Sequence, residues 1–393
     1  MKFFIALILL LPLSALARQQ TMFTAGLEAL STGNVSPEIT CQQALENGDP
    51  LPLHCRDLSS AICSLPKGPD GAAIKDREIA RATYDPLPAN ATQAQRNRAA
   101  QDAIGMSDTQ AYDNNSADGP SRDDVRRMMD PARWNVISLF NGVGYPSVDK
   151  QRQMANTVQN IRLKTGTEYV ASLVQWGRQQ NPSASQETLR RDAITTYTAA
   201  CGRTGMEANA FFEEGEVILC PGLAYSMRDY GNNNKIEEIK AALIFTMSHE
   251  ITHSIDYLVN PTNFDKLISC YQRAAPDASI FGNRNKLAEL TSDYFGAFAL
   301  GKYLADNALK LGLPPAATPA SASTVLRILA RSVGSYCTVD PTDTDHPNPS
   351  YRMNQVLARA PGIKAALGCP APTADNPSCT LRGENPPRPG QAR

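Results

Sequence analysis

Two histidines stand four positions apart with an acid between them: His249-Glu250-Ile251-Thr252-His253. On a helix that spacing puts both imidazoles on one face, where they can share a metal ion. Glu250 then sits beside the metal and can take a proton from an activated water. The chain has only four histidines, so a chance pairing is a poor explanation of this pattern. A catalytic zinc site needs a third protein ligand and one open position. A second stretch, Glu289-Leu290-Thr291-Ser292-Asp293, repeats the four-residue spacing with carboxylates. Glu289 is a natural third ligand. Asp293 could accept a hydrogen bond from the outer nitrogen of a ligating histidine, fixing its tautomer.

These residues need two helices to carry them. The pattern predicts one helix starting near Asn234, with Asn234 and Glu237 as a cap, and running to about Val259 before Pro261. It predicts a second over Asn285–Ala305 and a third over Ser323–Tyr336. Upstream, Ile74–Tyr84, Thr92–Gly105, Arg122–Met129, Lys150–Gln180 and Gln186–Ala199 read as helices. Asn209-Ala210-Phe211-Phe212 and Glu216-Val217-Ile218-Leu219, joined through Gly215, read as a β-hairpin. The expected fold class is α+β, mainly helical, with a small sheet.

Residues 1–17 have the form of an export signal: Lys2, an apolar run, and Ala15-Leu16-Ala17 as the cleavage site. That run is too short to span a bilayer, and no later segment is long and apolar enough. Loss of Lys2 with the leader leaves 37 basic against 39 acidic side chains, a net of −2. Such a balance gives no argument for a nucleic-acid partner. Nine cysteines in an exported chain predict disulfides, with Cys201 and Cys220 placed to staple the segment between them. An odd cysteine remains, read as a buried thiol rather than as a zinc ligand of a latent form. Residues 18–130 are expected to be a loosely ordered cap or prosegment, 131–369 the catalytic domain, and 370–393 a Pro-rich disordered tail. Secretion or a periplasmic location follows from the signal.

The two motifs together resemble the neprilysin-like zinc metallopeptidases, a gluzincin group that pairs H-E-x-x-H with E-x-x-x-D on the next helix. Two further segments agree: Asn209-Ala210-Phe211-Phe212 is similar to the family's N-A-Y-Y hairpin, and His346 with Arg352 to its C-terminal H-x-x-x-x-x-R segment. The resemblance implies a thermolysin-like core with a reduced helical lobe. It implies one zinc held by His249, His253 and Glu289, with Glu250 as general base and Asp293 orienting a ligand. It implies that Asn209 and Ala210 bind the backbone of a peptide or protein substrate, that His346 stabilises the oxyanion, and that Arg352 binds a substrate carbonyl. Phe245 and Thr246 match positions lining the pocket for the residue after the scissile bond. The loop before His346 departs from the family: Thr344 stands where an Asp is usual, flanked by Asp343 and Asp345. Two other functions fit the same residues: a peptide binder that has lost turnover, and a zinc amide hydrolase acting on cell-wall peptides.

Overall fold

The computed structural model describes residues 51–113, 120–143, 147–230, 236–314, 317–337, 343–370, 379–381 and 383–384. The export signal, Cys41, residues 114–119 and 231–235 with the expected Asn234 cap, and most of the C-terminal stretch lie outside them. The longer helices are α1 Leu58–Cys63, α2 Gly71–Thr83, α3 Gln93–Asp108, α4 Arg122–Val143, α5 Val148–Gln159, α6 Gly166–Gln180, α7 Gln186–Cys201, α8 Pro221–Ser226, α9 Ile236–Thr252, α10 Asp265–Ala274, α11 Arg284–Asp306, α12 Pro319–Val333 and α13 Pro361–Ala366. The strands are β1 Arg162–Lys164, β2 Ala210–Glu213 and β3 Glu216–Leu219, in the order β1-β3-β2, with a second pair β4 Cys379–Thr380 and β5 Gly383–Glu384. The chain is therefore mainly helical with a small sheet.

Helix α9 is the centre of the fold. From Ala241 to Thr252 every residue is buried, so the helix has no solvated face. Its most extensive neighbours are α11 and α4. Gly296 on α11 makes the first approach possible: a Cβ there would lie 3.0 Å from the Phe245 ring and 3.0 Å from the Phe245 carbonyl oxygen. A larger residue would push the helices apart and carry Glu289 and Asp293 away from the histidines.

Three expectations about helix ends need correction. The helix bearing the histidines stops at Thr252, and His253 begins a run of turns that reaches Asn260. The stretch Lys150–Gln180 is α5, then strand β1, then α6. The break follows from Thr165 and Glu168, which form a capping box at the start of α6. Asp108 on α3 reinforces it by accepting from the Gly166 and Thr167 backbone N–H groups. Beyond Val333, α12 continues as a single tighter turn, Gly334–Cys337.

Of the region expected as a loose cap, the described residues 51–113 and 120–130 are well packed. Leu58, Ile62, Ile79 and Ala103 share one core with α4, α9, α11 and α12, and residues from 50 onward form a single compact unit. No boundary at residue 130 appears among the described residues. Disulfides Cys55–Cys369 and Cys63–Cys337 tie this region to the C-terminal third. Cys201–Cys220 is the expected staple, between the end of α7 and the end of the hairpin. Cys270–Cys379 anchors β4 to α10, so this part of the stretch expected to be disordered is paired, with Cys379 and Leu381 buried.

The β2–β3 hairpin turns through Glu214 (φ 47°) and Gly215 (φ 82°), both left-handed. Such two-residue turns favour Asn or Gly at the first position, because a Cβ there crowds the backbone. Glu214→Asn is therefore expected to stabilise the fold by about 1 kcal/mol, measured as a rise in the urea midpoint at unchanged slope.

Candidate metal centre

Two imidazole nitrogens and a carboxylate from two helices and a turn converge. His249 Nε2 lies 3.3 Å from His253 Nε2 and 3.3 Å from Glu289 Oε2, and His253 Nε2 lies 3.4 Å from Glu289 Oε1. Four-coordinate zinc with bonds of about 2.0–2.1 Å sets its ligand atoms about 3.3–3.4 Å apart, the edge of the tetrahedron. The residues present thus fit the ion that the pattern implies.

Each donor is held from behind. The outer nitrogen of His249 is 3.1 Å from Asp293 Oδ1, close enough for an ion pair although not aligned as a hydrogen bond. The outer nitrogen of His253 is 2.9 Å from Asp256 Oδ2, with Ser292 Oγ at 3.3 Å. The other oxygen of Asp256 accepts from the Leu258 and Val259 N–H groups, which locks the turn that follows α9. Sequence reasoning missed Asp256. Its signal was the spacing from His253, concealed by the expectation that the helix ran on to Val259.

Asp293 is fully buried and is clamped by Arg352. Arg352 Nε donates to Asp293 Oδ2 at 2.6 Å and Nη2 to Oδ1 at 2.8 Å. Nη2 also reaches Glu289 Oε2 at 3.3 Å and the Tyr336 hydroxyl at 2.7 Å. The Arg352 guanidinium lies 3.8 Å from the centre of the Tyr336 ring. Arg352, expected to meet a substrate carbonyl, is thus a buried group with Nε and Nη2 committed to the carboxylates that orient and supply the ligands. Tyr336, unforeseen, joins from another element.

Electrostatics follow from this packing. Burial pushes the Glu250 carboxyl up, against the pull of His249 and His253. Burial opposes charge on His249, but Asp293 and Glu289 outweigh it and hold the group up at about 10. Burial likewise opposes charge on Glu289 and Asp293, yet His249 and Arg352 keep both below the ordinary carboxylate range.

Glu250 points to the same centre, its Oε1 4.0 Å from His249 Nε2. On the more open side, His346 places Nε2 3.5 Å from Glu289 Oε2 and is partly exposed. Its Nδ1 pairs with Asp343 Oδ2 at 2.7 Å, which identifies the partner that the departing loop sequence left open. Asn283 and Asn285 hold this loop to the start of α11 through Thr344 and Asp345. A cavity of about 350 Å³ opens beside His253, lined by Thr157, Ile161, Phe212 and Val259 among others.

Not every expected site residue faces this space. Phe245 is buried beneath His249 against Gly296, and Thr246 is buried too. Asn209 uses its side-chain amide nitrogen on the Ala200 carbonyl at the end of α7. Ala210 begins β2, one of the two edge strands of the sheet. One other group of ligand-type side chains occurs among the described residues, His54 with Cys55 and Cys369, but both sulfurs are spent in a disulfide. No protein-family model matches the chain, and no curated protein matches it.

Proposed function

We propose that this chain is an exported zinc peptidase of the neprilysin-like kind, with a thermolysin-like core, that hydrolyses peptide bonds in an extended substrate. The observation that carries the proposal is the convergence of His249 Nε2, His253 Nε2 and the Glu289 carboxylate at 3.3–3.4 Å with Glu250 beside them. Zinc, when bound, supplies Lewis acidity that polarises a carbonyl and acidifies a water. The protein's own groups do the rest. Glu250 takes the proton of the attacking water and passes it to the departing amine nitrogen. His346, held by Asp343, donates to the developing oxyanion from the open side. Asp256, hydrogen-bonded to His253 Nδ1, would leave Nε2 of that ring for the metal, and Asp293 stands behind His249 as its charge partner at 3.1 Å.

Substrate binding is assigned to the edge of β2, where an extended peptide can add as a further strand. Four disulfides fit an oxidising compartment, and among the described residues no helix is long and apolar enough to cross a membrane. The experiment is turnover of a quenched-fluorescence peptide library. Cleavage that a chelator abolishes and one equivalent of zinc restores is the expected result. A zinc-loaded chain that cuts no peptide is inconsistent with the proposal.

A further inference from the structure

A pocket of about 310 Å³ lies between α6 and the β2–β3 hairpin, apart from the zinc donors. Tyr169 and Trp176 of α6 form one side; Glu213, Glu214 and Glu216 form the other, with Arg162 of β1 at its margin. Glu216 is already engaged by Arg162 at 3.4 Å, Lys164 at 3.8 Å and Ser172 Oγ at 3.3 Å. Glu213 and Glu214 make no ion pair among the described residues, so the pocket keeps two uncompensated carboxylates. Tyr169 is 2% exposed, and its hydroxyl is buried with no hydrogen-bond partner. Buried hydroxyls are almost always satisfied by protein, water or ligand, so this one leaves an unused acceptor at the pocket wall. Trp176 is 48% exposed, a large apolar face offered to whatever occupies the space.

We propose that this pocket binds the side chain of an arginine or lysine in a peptide added along β2, so that the preferred substrates are basic peptides. This deepens the peptidase proposal and rests on it for the peptide's location. The register supplies the geometry. Asn209 O accepts from Cys220 N at 3.0 Å, and Phe211 and Glu213 stand opposite Ile218 and Glu216 in the same antiparallel pairing. Alternation along an antiparallel pair then directs the backbone groups of 209, 211 and 213 to β3 and those of Ala210 and Phe212 to the free edge. A strand added there keeps alternate side chains on the Glu213 face. The residue opposite Glu213 brings its Cβ to within about 5 Å of Glu213's own. A long cationic side chain from that point can lay its stem on Trp176, set its charge between Glu213 and Glu214, and donate to the Tyr169 hydroxyl. Burial and the neighbouring Glu214 and Glu216 raise the Glu213 pKa, a like-charge crowding that a cation relieves.

The sequence has two tryptophans, so Trp134→Phe leaves Trp176 as the sole tryptophan, read selectively by exciting at the red edge where tyrosine does not absorb. The experiment titrates zinc-loaded protein carrying Trp134→Phe and Glu250→Gln with heptapeptides in which arginine, or norleucine as control, is walked through each position. Binding is read from Trp176 fluorescence, and cleavage of the same peptides is measured with Trp134→Phe alone. The expected result is roughly tenfold tighter binding of arginine over norleucine at alternate positions only, with a change in Trp176 emission. Adding Glu213→Gln and Glu214→Asn is expected to erase that preference. Since Glu214→Asn relaxes a strained turn, misfolding does not explain its loss. Equal binding of the two peptide sets, no binding of either, or a preference that survives both substitutions overturns the proposal. Arginine peptides bound with the stated preference but left uncut by Trp134→Phe support the pocket while contradicting the peptidase proposal. Peptides cut with no preference contradict the pocket alone.

Discussion

Replacing Glu250 by glutamine is expected to lower kcat/KM for peptide hydrolysis by about 10²–10⁴-fold while leaving one zinc per chain. Glutamine keeps the shape of the side chain but has no basic oxygen to receive the proton of the attacking water. The ligands themselves are untouched, because the three converging donors are His249 Nε2, His253 Nε2 and Glu289. Burial of Glu250 raises its affinity for a proton, which favours a group that must accept one and then give it up. Steady-state kinetics on one good library substrate, with metal content measured on the same sample, separates the two effects. Full activity in the glutamine variant would remove Glu250 from the reaction. Loss of zinc would instead make it a structural part of the site.

Arg352→Met is expected to destabilise the fold by about 3–5 kcal/mol, because it leaves a buried carboxylate without its cation. Asp293 is 0% exposed and takes two hydrogen bonds from the guanidinium. Methionine fills much of the volume but supplies no donors. Asp293 can recover by taking a proton, which would then weaken its hold on His249. Zinc affinity should therefore fall as well, by about 10–100-fold, the usual effect of disturbing a ligand's partner. Urea denaturation and zinc competition with a chromophoric chelator read the two quantities separately. A loss confined to substrate affinity, with stability and zinc binding intact, would return Arg352 to the substrate-binding role that its sequence context suggested.

The convergence of the candidate ligands was legible because their spacing is local. His249 and His253, and Glu289 and Asp293, each lie four residues apart, and helical geometry converts that spacing into a shared face. The contacts that complete the centre are of another kind. Tyr336 and Arg352 come from separate segments and meet Asp293 only through tertiary packing. Asp256 is near in sequence, but its role depends on the helix ending at Thr252, and no Gly or Pro marks that end. The break at Asn160–Thr165 was readable after all, since Thr165 and Glu168 have the spacing of a capping box. The packing of residues 51–113 was not, because their composition is polar and they are tied by disulfides to Cys337 and Cys369 and share one core with distant helices. Phe245 shows the reverse error: a side chain taken for a pocket wall is core, because Gly296 brings α11 directly over it.

The most direct test is zinc K-edge X-ray absorption on the purified, disulfide-intact chain, with metal content measured in parallel. The account predicts one zinc per chain, nitrogen and oxygen neighbours at about 2.0–2.1 Å, two imidazoles in the first shell, and loss of the ion on His249→Ala. A chain that takes up no zinc, or one whose zinc survives His249→Ala, would contradict it.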